Sequence, residues 1–373
     1  MSKSSFSAEE AIRYSRHFVL PGFGEAAQQK LKNASVLVVG AGGLGAPVLY
    51  YLAAAGIGHL AVADADTVNL SNLQRQILFT AADVGKCKAA TAADRLQALN
   101  ASIRISPLPA RVDRHNALDL LKPYNVVVDA TDNFATRYLL NDACVLLGKP
   151  LVYGSVFRYE GQVAVFNFQG SANYRDLYPE PPAPGSVPDC EQGGVIGVLP
   201  GLIGCYQANE VMKLITGIGE PLRNKLMLVD TLTLETNVLT IPDRNQKDRI
   251  KSLIDYEQFC GLKPTHSTMK EVTVQELKNM MDQKEDFQLI DVREPHEYDI
   301  CNLEGELIPQ ADIPHSIDRI AKDKKVVLHC RSGARSGNMV NWLEKNHGFT
   351  NLYNLKGGIL AWADQIDTSM PKY

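Results

Sequence analysis

The sequence predicts an α/β protein, with a large domain built on a mainly parallel, doubly wound sheet and a smaller α/β domain behind it. Three observations carry this prediction. The run Ser35-Val-Leu-Val-Val39 is apolar without alternation, as in a parallel strand buried on both faces. It breaks into Gly40-Ala-Gly-Gly-Leu-Gly45 and continues as an alanine-rich helical stretch to Ala55, which gives a strand, a tight turn and a helix. Late in the chain, Lys325-Val-Val-Leu-His329, the loop Cys330-Arg-Ser-Gly-Ala-Arg-Ser336 and a helix over Ser336–Glu344 repeat that order.

A chain of 373 residues has room for two or three domains with ample cores. A net charge of −4 and a pI near 6.1 give no electrostatic case for nucleic acid or an anionic membrane as partner. No apolar run reaches the ~18 residues of a membrane span and the first residues lack a signal core, so a soluble, cytoplasmic protein is expected. The seven cysteines (87, 144, 190, 205, 260, 301 and 330) are scattered, odd in number and free of any C-x-x-C pair. That argues against a disulfide framework and a cysteine-rich zinc site, and leaves individual thiols as the question.

In chain order, Ser7-Ala-Glu-Glu10 is a capping box that starts a helix running to about Arg16. On residue type alone, Arg16 is a solvated surface side chain. Gly40, Gly42 and Gly45 fit G-x-G-x-x-G: one glycine makes the turn, one admits a phosphate to the backbone, and one lets helix and strand pack closely. The phosphates then sit at the positive end of the helix. Such a turn serves NAD, FAD, S-adenosylmethionine and ATP enzymes alike. His59-Leu-Ala-Val-Ala-Asp64 is a second strand ending in an acid about 20 residues beyond the glycines, where a carboxylate binds ribose hydroxyls. The polar stretch Asp66–Gln76 falls at the C-terminal edge of the sheet, Lys88 opens a helix to about Asn100, and the strand Val126–Asp129 leads into Ala130-Thr-Asp-Asn133. Arg75, Lys88 and Asp132 thereby gather on one sheet edge. Hydride transfer has little use for them, whereas a triphosphate with Mg²⁺ held by a carboxylate does.

Gly40-Ala-Gly-Gly-Leu-Gly45, Asp64, Ser71-Asn-Leu-Gln-Arg75, Lys88, Asp129-Ala-Thr-Asp-Asn133 and Asp189-Cys-Glu-Gln-Gly-Gly194 together resemble the MoeB/ThiF family over roughly residues 6–242. These Rossmann-like relatives of ubiquitin-activating enzymes adenylate the C-terminal Gly-Gly of a small sulfur carrier. The resemblance implies that Asp64 binds the ribose, that Asn72, Arg75 and Lys88 address the phosphates, that Asp132 holds Mg²⁺, and that Gly43, Ser71 and Asn133 complete the ATP site. It also turns Arg16 into a dimer prediction, because the matching family arginine reaches the partner subunit's ATP site. Cys190 lies in a polar, glycine-containing loop ahead of an apolar helix from about Val195 to Leu214, so it is a candidate nucleophile. In sulfur-transferring relatives the matching cysteine attacks the adenylate or relays sulfur. One departure from the family is plain. Asn173 and Asp176 stand where many members have zinc-binding cysteines, and Asp243–Asp248 has none either, so no structural zinc is expected.

The adenylating domain is expected over residues 1–242 and a charged linker over 243–270. The second domain, 271–373, opens on the capping box Thr273-Val-Gln-Glu276 and continues with a strand at Phe287–Asp291. A cysteine at a strand end, followed by a short loop with glycine and arginines into a helix, is an anion cradle for a thiolate or persulfide. A cysteine phosphatase needs Cys-x5-Arg, and here Ser336 takes the arginine's place. With Asp291-Val-Arg-Glu-Pro-His-Glu297 and Leu355-Lys-Gly-Gly-Ile-Leu-Ala-Trp362, the segment is similar to a rhodanese domain. That resemblance makes Cys330 the sulfur carrier, with Arg331 and Arg335 as loop cations and Asp291 and Arg293 holding the fold. The two resemblances imply a homodimeric enzyme that adenylates a ubiquitin-like carrier of the MoaD/ThiS type and converts its terminus to a thiocarboxylate. Sulfur would come from a cysteine desulfurase or thiosulfate. A dinucleotide oxidoreductase and an activating enzyme whose second domain only docks a partner are the alternatives.

Overall fold

The computed structural model describes residues 6–182, 193–261 and 269–372, which fold as two compact units, the first running to Phe259 and the second starting at Cys260. The first unit is built on strands β1 (Ser35–Val39), β2 (His59–Ala63), β3 (Arg104–Leu108), β4 (Val126–Asp129), β5 (Leu151–Phe157), β6 (Glu160–Phe166), β7 (Lys225–Asp230) and β8 (Thr236–Thr240). Their order in the sheet is β3-β2-β1-β4-β5-β6-β7-β8. The pairs from β3 to β5 are parallel and those from β5 to β8 antiparallel. β1 and β4 lie in the middle, which is why their apolar runs show no alternation: Val36, Val38, Val127 and Val128 are all fully buried. The chain winds outward from β1 to β3 and then back to the other side at β4. The crevice between β1 and β4 is therefore the topological switch point, where open α/β sheets bind ligands.

The helix Gly45–Ala55 packs over β1, with Val48, Leu49 and Leu52 fully buried, and against the helix Val198–Thr216. On that second helix Leu199, Ile203 and Val211 are buried, and Gln207 Nε2 donates to the carbonyls of Asp129 at 2.7 Å and Val152 at 3.3 Å, fixing the helix to the sheet edge. Its opposite stripe, Val198, Leu202 and Tyr206 at four-residue spacing, is exposed.

The capping box at Ser7 and Glu10 is present, but its helix ends at Arg13 and a separate turn, Ser15–Phe18, follows. Tyr14 causes the break, because its ring is buried and its hydroxyl accepts from Asn100 Nδ2 at 2.9 Å, a long-range contact with no local signal. Residues 243–259, expected within the linker, fold onto the first unit instead. Tyr256 donates to Asp142 Oδ2 at 2.8 Å and Phe259 meets the Tyr138 ring edge-on.

The second unit holds β9 (Glu271–Val272), β10 (Phe287–Asp291), β11 (Glu306–Leu307), β12 (Lys325–His329) and β13 (Leu352–Leu355), all parallel in the order β11-β10-β12-β13-β9. Apolar clusters cover it, one around Ile290, Leu328 and Leu343 and another around Val327, Leu355 and Trp362. Here the switch point lies between β10 and β12, and Cys330 is the first residue beyond β12.

Candidate functional site

The first unit opens at its switch point into a cavity of about 370 Å³. Gly40, Gly42 and Gly43 form one wall, Asp64 and Asp66 follow β2, and Arg75, Lys88, Asp132 and Asn133 complete the rim. Residues far apart in sequence are thus brought to one sheet edge. Gly45 lies just behind, where a Cβ would overlap the Gly40 carbonyl oxygen, so it serves the close helix-to-strand approach rather than the ligand. Asp64 accepts from the backbone N–H groups of Ala41 and Asp66, each at 2.8 Å, and burial raises its pKa above the ordinary carboxylate value. Lys88, buried at the first position of its helix, meets Asp66 Oδ2 at 3.1 Å. Arg75 Nη1 donates to the Ser71 carbonyl at 3.2 Å.

Some expected residues have other engagements. Ser71 and Asn72 fall in a short turn beside the cavity rather than in its lining, and Asn72 Oδ1 accepts from Asn69 N at 3.1 Å. Asn133 caps the helix Phe134–Leu147 through Thr136 N at 2.9 Å, although it also lines the cavity. Arg16 is exposed on the turn Ser15–Phe18 and is not part of its own chain's cavity lining. Cys190 lies outside the described residues.

Sequence reasoning missed three lining residues. Gln76 is buried beside Gly42 and its Oε1 has no hydrogen-bond partner, an acceptor lining the cavity. Arg137 donates from Nη2 to the Thr131 carbonyl at 3.1 Å and stacks on Tyr153. It follows the Asn133 cap by one helical turn, the single sequence cue that pointed to it. Arg111 pairs with Glu257 at 2.8 Å, a contact across 146 residues that no local pattern signals.

Asn173 and Asp176, which stand where the resemblance would put cysteines, form a capping box. The buried Asp176 carboxylate accepts from Asn173 N at 2.8 Å, and also from Arg244 N at 2.9 Å and Gln246 N at 3.2 Å. It therefore ties together the two segments from which zinc ligands would come. Among the described residues, no group of three or more His, Cys, Asp or Glu is arranged to hold a metal.

In the second unit Cys330 is 1% exposed, and its sulfur accepts from Gly333 N at 3.2 Å. Gly333 has φ +89°, a conformation that lets the loop fold its N–H back onto the sulfur and start the helix Ala334–His347. The carbonyls of Cys330 and Arg331 are drawn the other way, to Ile359 N at 2.9 Å and Leu360 N at 3.0 Å in the turn after Gly357 and Gly358. Arg335 departs from its expected role: it makes a two-pronged ion pair with Glu297, at 2.6 and 2.7 Å. Burial pushes the Glu297 carboxyl up, but the Arg335 hydrogen bonds and the Glu294 backbone outweigh it and hold the pKa at about 2. Asp291 and Arg293 are fully buried and paired, and Arg293 also donates to the carbonyls of Glu297 and Cys301. Beside them burial lowers the pKa of His329 to about 4, against the pull of Asp291 at 3.6 Å, so its ring is neutral at pH 7.

A cleft that gathers cations and carboxylates in the first unit, and in the second a buried cysteine whose sulfur accepts from a loop N–H, are the features of a two-part transferase of the adenylyltransferase and sulfurtransferase kind. The chain belongs to the ThiF family, whose model matches residues 14–250, and the rhodanese-like domain model matches residues 273–365. It is 45% identical to the probable adenylyltransferase/sulfurtransferase MoeZ of Mycobacterium tuberculosis over 99% of this chain and 97% of that protein. It is 41% identical to the adenylyltransferase and sulfurtransferase MOCS3 of Culex quinquefasciatus, covering 98% and 90%. The sulfur carrier protein adenylyltransferase of Thermus thermophilus is 49% identical over 69% of this chain and 99% of its own length. Among solved structures, E. coli MccB with MccA-N7isoASN superposes at a TM-score of 0.58 and 23% identity over 70% of this chain and 76% of that one, a likeness of fold.

Proposed function

We propose that the chain adenylates the C-terminal carboxylate of a small ubiquitin-like sulfur carrier ending in Gly-Gly and then exchanges the adenylate for sulfur drawn from Cys330. The observation that carries this reading is the meeting of Asp64, Arg75, Lys88 and Asp132 around one cavity behind the glycine turn. Asp64 is the ribose ligand, Arg75 and Lys88 take phosphate charge, and the glycine turn lets the phosphates approach the backbone. The Asp132 carboxylate at the rim suits Mg²⁺, which takes most of its remaining ligands from phosphate and water. When bound, that ion neutralises phosphate charge. The carrier's carboxylate is already ionised, so attack on the α-phosphorus needs no general base; the bond to pyrophosphate breaks as the acyl–phosphate bond forms. The protein supplies position and positive charge.

In the second half-reaction the outer sulfur of a Cys330 persulfide attacks the acyl carbon and AMP leaves. A thiolate then bonds to Cys330 Sγ and breaks the sulfur–sulfur bond, releasing the thiocarboxylate; that thiolate is assigned to Cys190. Thiosulfate or a cysteine desulfurase supplies the sulfur. Six free cysteines among the described residues suit a reducing, cytoplasmic setting. Arg16, exposed and outside its own cavity lining, and the exposed stripe Val198, Leu202 and Tyr206 support a homodimer in which Arg16 reaches the partner's nucleotide. The test is carrier-dependent pyrophosphate release from Mg-ATP: a carrier ending in Gly-Gly supports it and one lacking the last glycine does not. Release indifferent to the carrier's terminus would overturn the reading.

A further inference from the structure

Ser336 is fully buried near the start of the helix Ala334–His347, and its hydroxyl has three acceptors within reach. Asn354 Oδ1, on β13, lies 2.7 Å away, the Gly333 carbonyl 3.3 Å and Cys330 Sγ 3.4 Å. A hydroxyl carries one proton, so it serves these acceptors by turns. A neutral thiol is a weak acceptor, and beside it the proton belongs to Asn354. A thiolate is a far better one, since hydrogen bonds to charged acceptors are roughly twice as strong as neutral ones. When Cys330 is anionic the hydroxyl turns to the sulfur, and the Asn354 amide, which carries a donor as well as an acceptor, turns its Nδ2 to the hydroxyl oxygen. Neither movement requires the backbone to shift.

We propose that Ser336, backed by Asn354, is a positioning residue of the sulfur chemistry, a one-proton switch that donates to Cys330 Sγ whenever that atom carries negative charge. This rests on the reading of Cys330 as sulfur carrier. Of the charges around the loop, Arg335 is paired with Glu297, Asp291, Arg293 and His329 form a buried cluster, and Arg331 is a partly exposed loop cation; the donors within reach of Sγ are the Gly333 N–H and the Ser336 hydroxyl. The charge on Sγ appears on loading, and again when the persulfide passes to a small thiol in place of the carrier. On loading from thiosulfate, the Sγ thiolate bonds to the sulfane sulfur, the bond to the sulfonate sulfur breaks, and sulfite departs with the electron pair. On delivery to a thiol acceptor, the acceptor's thiolate bonds to the outer sulfur and Sγ leaves with the pair as a thiolate. The Ser336 hydroxyl stabilises that leaving group.

The experiment measures, on the full chain with Cys330 reactivity isolated by comparison with Cys330→Ala, the pH profile of alkylation and the rate at which thiosulfate-loaded persulfide passes to a small thiol. Ser336→Ala moves the alkylation profile to higher pH and slows delivery roughly three- to tenfold, the size of one charge-assisted hydrogen bond. Ser336→Thr, which keeps the hydroxyl, restores both. Ser336→Cys, which keeps the size of the side chain but offers a much weaker donor, shifts both readouts in the same direction as Ser336→Ala. Unchanged profiles in Ser336→Ala and Ser336→Cys, or a Ser336→Thr variant that restores neither readout, overturn the inference. Wild-type protein that gains no sulfur atom from thiosulfate overturns the carrier reading instead, a result seen by mass and separate from the alkylation profile.

Discussion

The cavity beside Gly40 and the loop around Cys330 both follow a central parallel strand at a switch point, and both lie at the start of a helix. They differ in what fills the cradle. The first leaves open about 370 Å³ and rings it with side chains from four separate loops, as a large, diffusible polyanion requires. The second closes on a sulfur of its own chain, 1% exposed, and ties the loop's Arg335 to Glu297. On the proposed reading, one site takes a ligand from solution and surrounds it with charged side chains, whereas the other acts on a sulfur of its own chain held by short, fixed donors.

That contrast breaks if the two sites depend on each other's groups. Cys330→Ala is expected to abolish sulfur transfer while leaving pyrophosphate release intact, and Lys88→Ala or Asp132→Ala to lower pyrophosphate release by about 10²–10³ while persulfide loading from thiosulfate persists. Loss of both activities in any of these variants would join what the comparison separates. Next in size is Gly45→Ala. The added methyl overlaps the Gly40 carbonyl oxygen, which backbone must yield to, so the first unit should lose roughly 3 kcal/mol or more in denaturant unfolding with nucleotide binding lost alongside. A stable variant that binds nucleotide normally would show that the turn tolerates a wider spacing.

Asp176→Ala should cost about 1–3 kcal/mol, because it orphans the buried N–H of Asn173 and removes the acceptor of the part-buried N–H groups of Arg244 and Gln246. Added zinc should not restore it. The smallest effect is with pH, and it sharpens the picture of the second unit. Both tryptophans, Trp342 and Trp362, lie there, so their fluorescence follows its unfolding within the whole chain. His329 binds a proton less readily folded than unfolded, so stability falls as pH drops from its ordinary 6.5 toward about 4. Glu297 is held at about 2 against an ordinary 4.5, so its contribution is complete above pH 4.5 and is lost as pH falls toward 2. Glu297→Gln should flatten that lower limb, and an unchanged limb would remove Glu297 from the explanation.

The parts legible in sequence were those fixed by neighbours along the chain. The apolar run of β1, the glycine turn, Asp64 at the end of β2, both capping boxes and the Cys330 loop are local patterns, and each stands where the pattern places it. The parts that escaped depend on long-range contacts. Tyr14 breaks the first helix through Asn100, Tyr256 and Phe259 pull an apparently featureless charged stretch onto Asp142 and Tyr138, and Glu297 captures Arg335 across 38 residues. Gln76 and Arg137 escaped for a related reason: their types are common on surfaces, and burial at the cavity is what marks them.

The central claim is that one chain performs both half-reactions, and intact mass of the carrier tests it most directly. A ubiquitin-like carrier ending in Gly-Gly is incubated with the protein, Mg-ATP and thiosulfate, beside a Cys330→Ala control. Replacement of one terminal oxygen by sulfur with the intact protein alone, and an adenylated carrier without sulfur in the control, is the predicted result. Sulfur gained equally in both, or a carrier unaltered by either, would contradict the account.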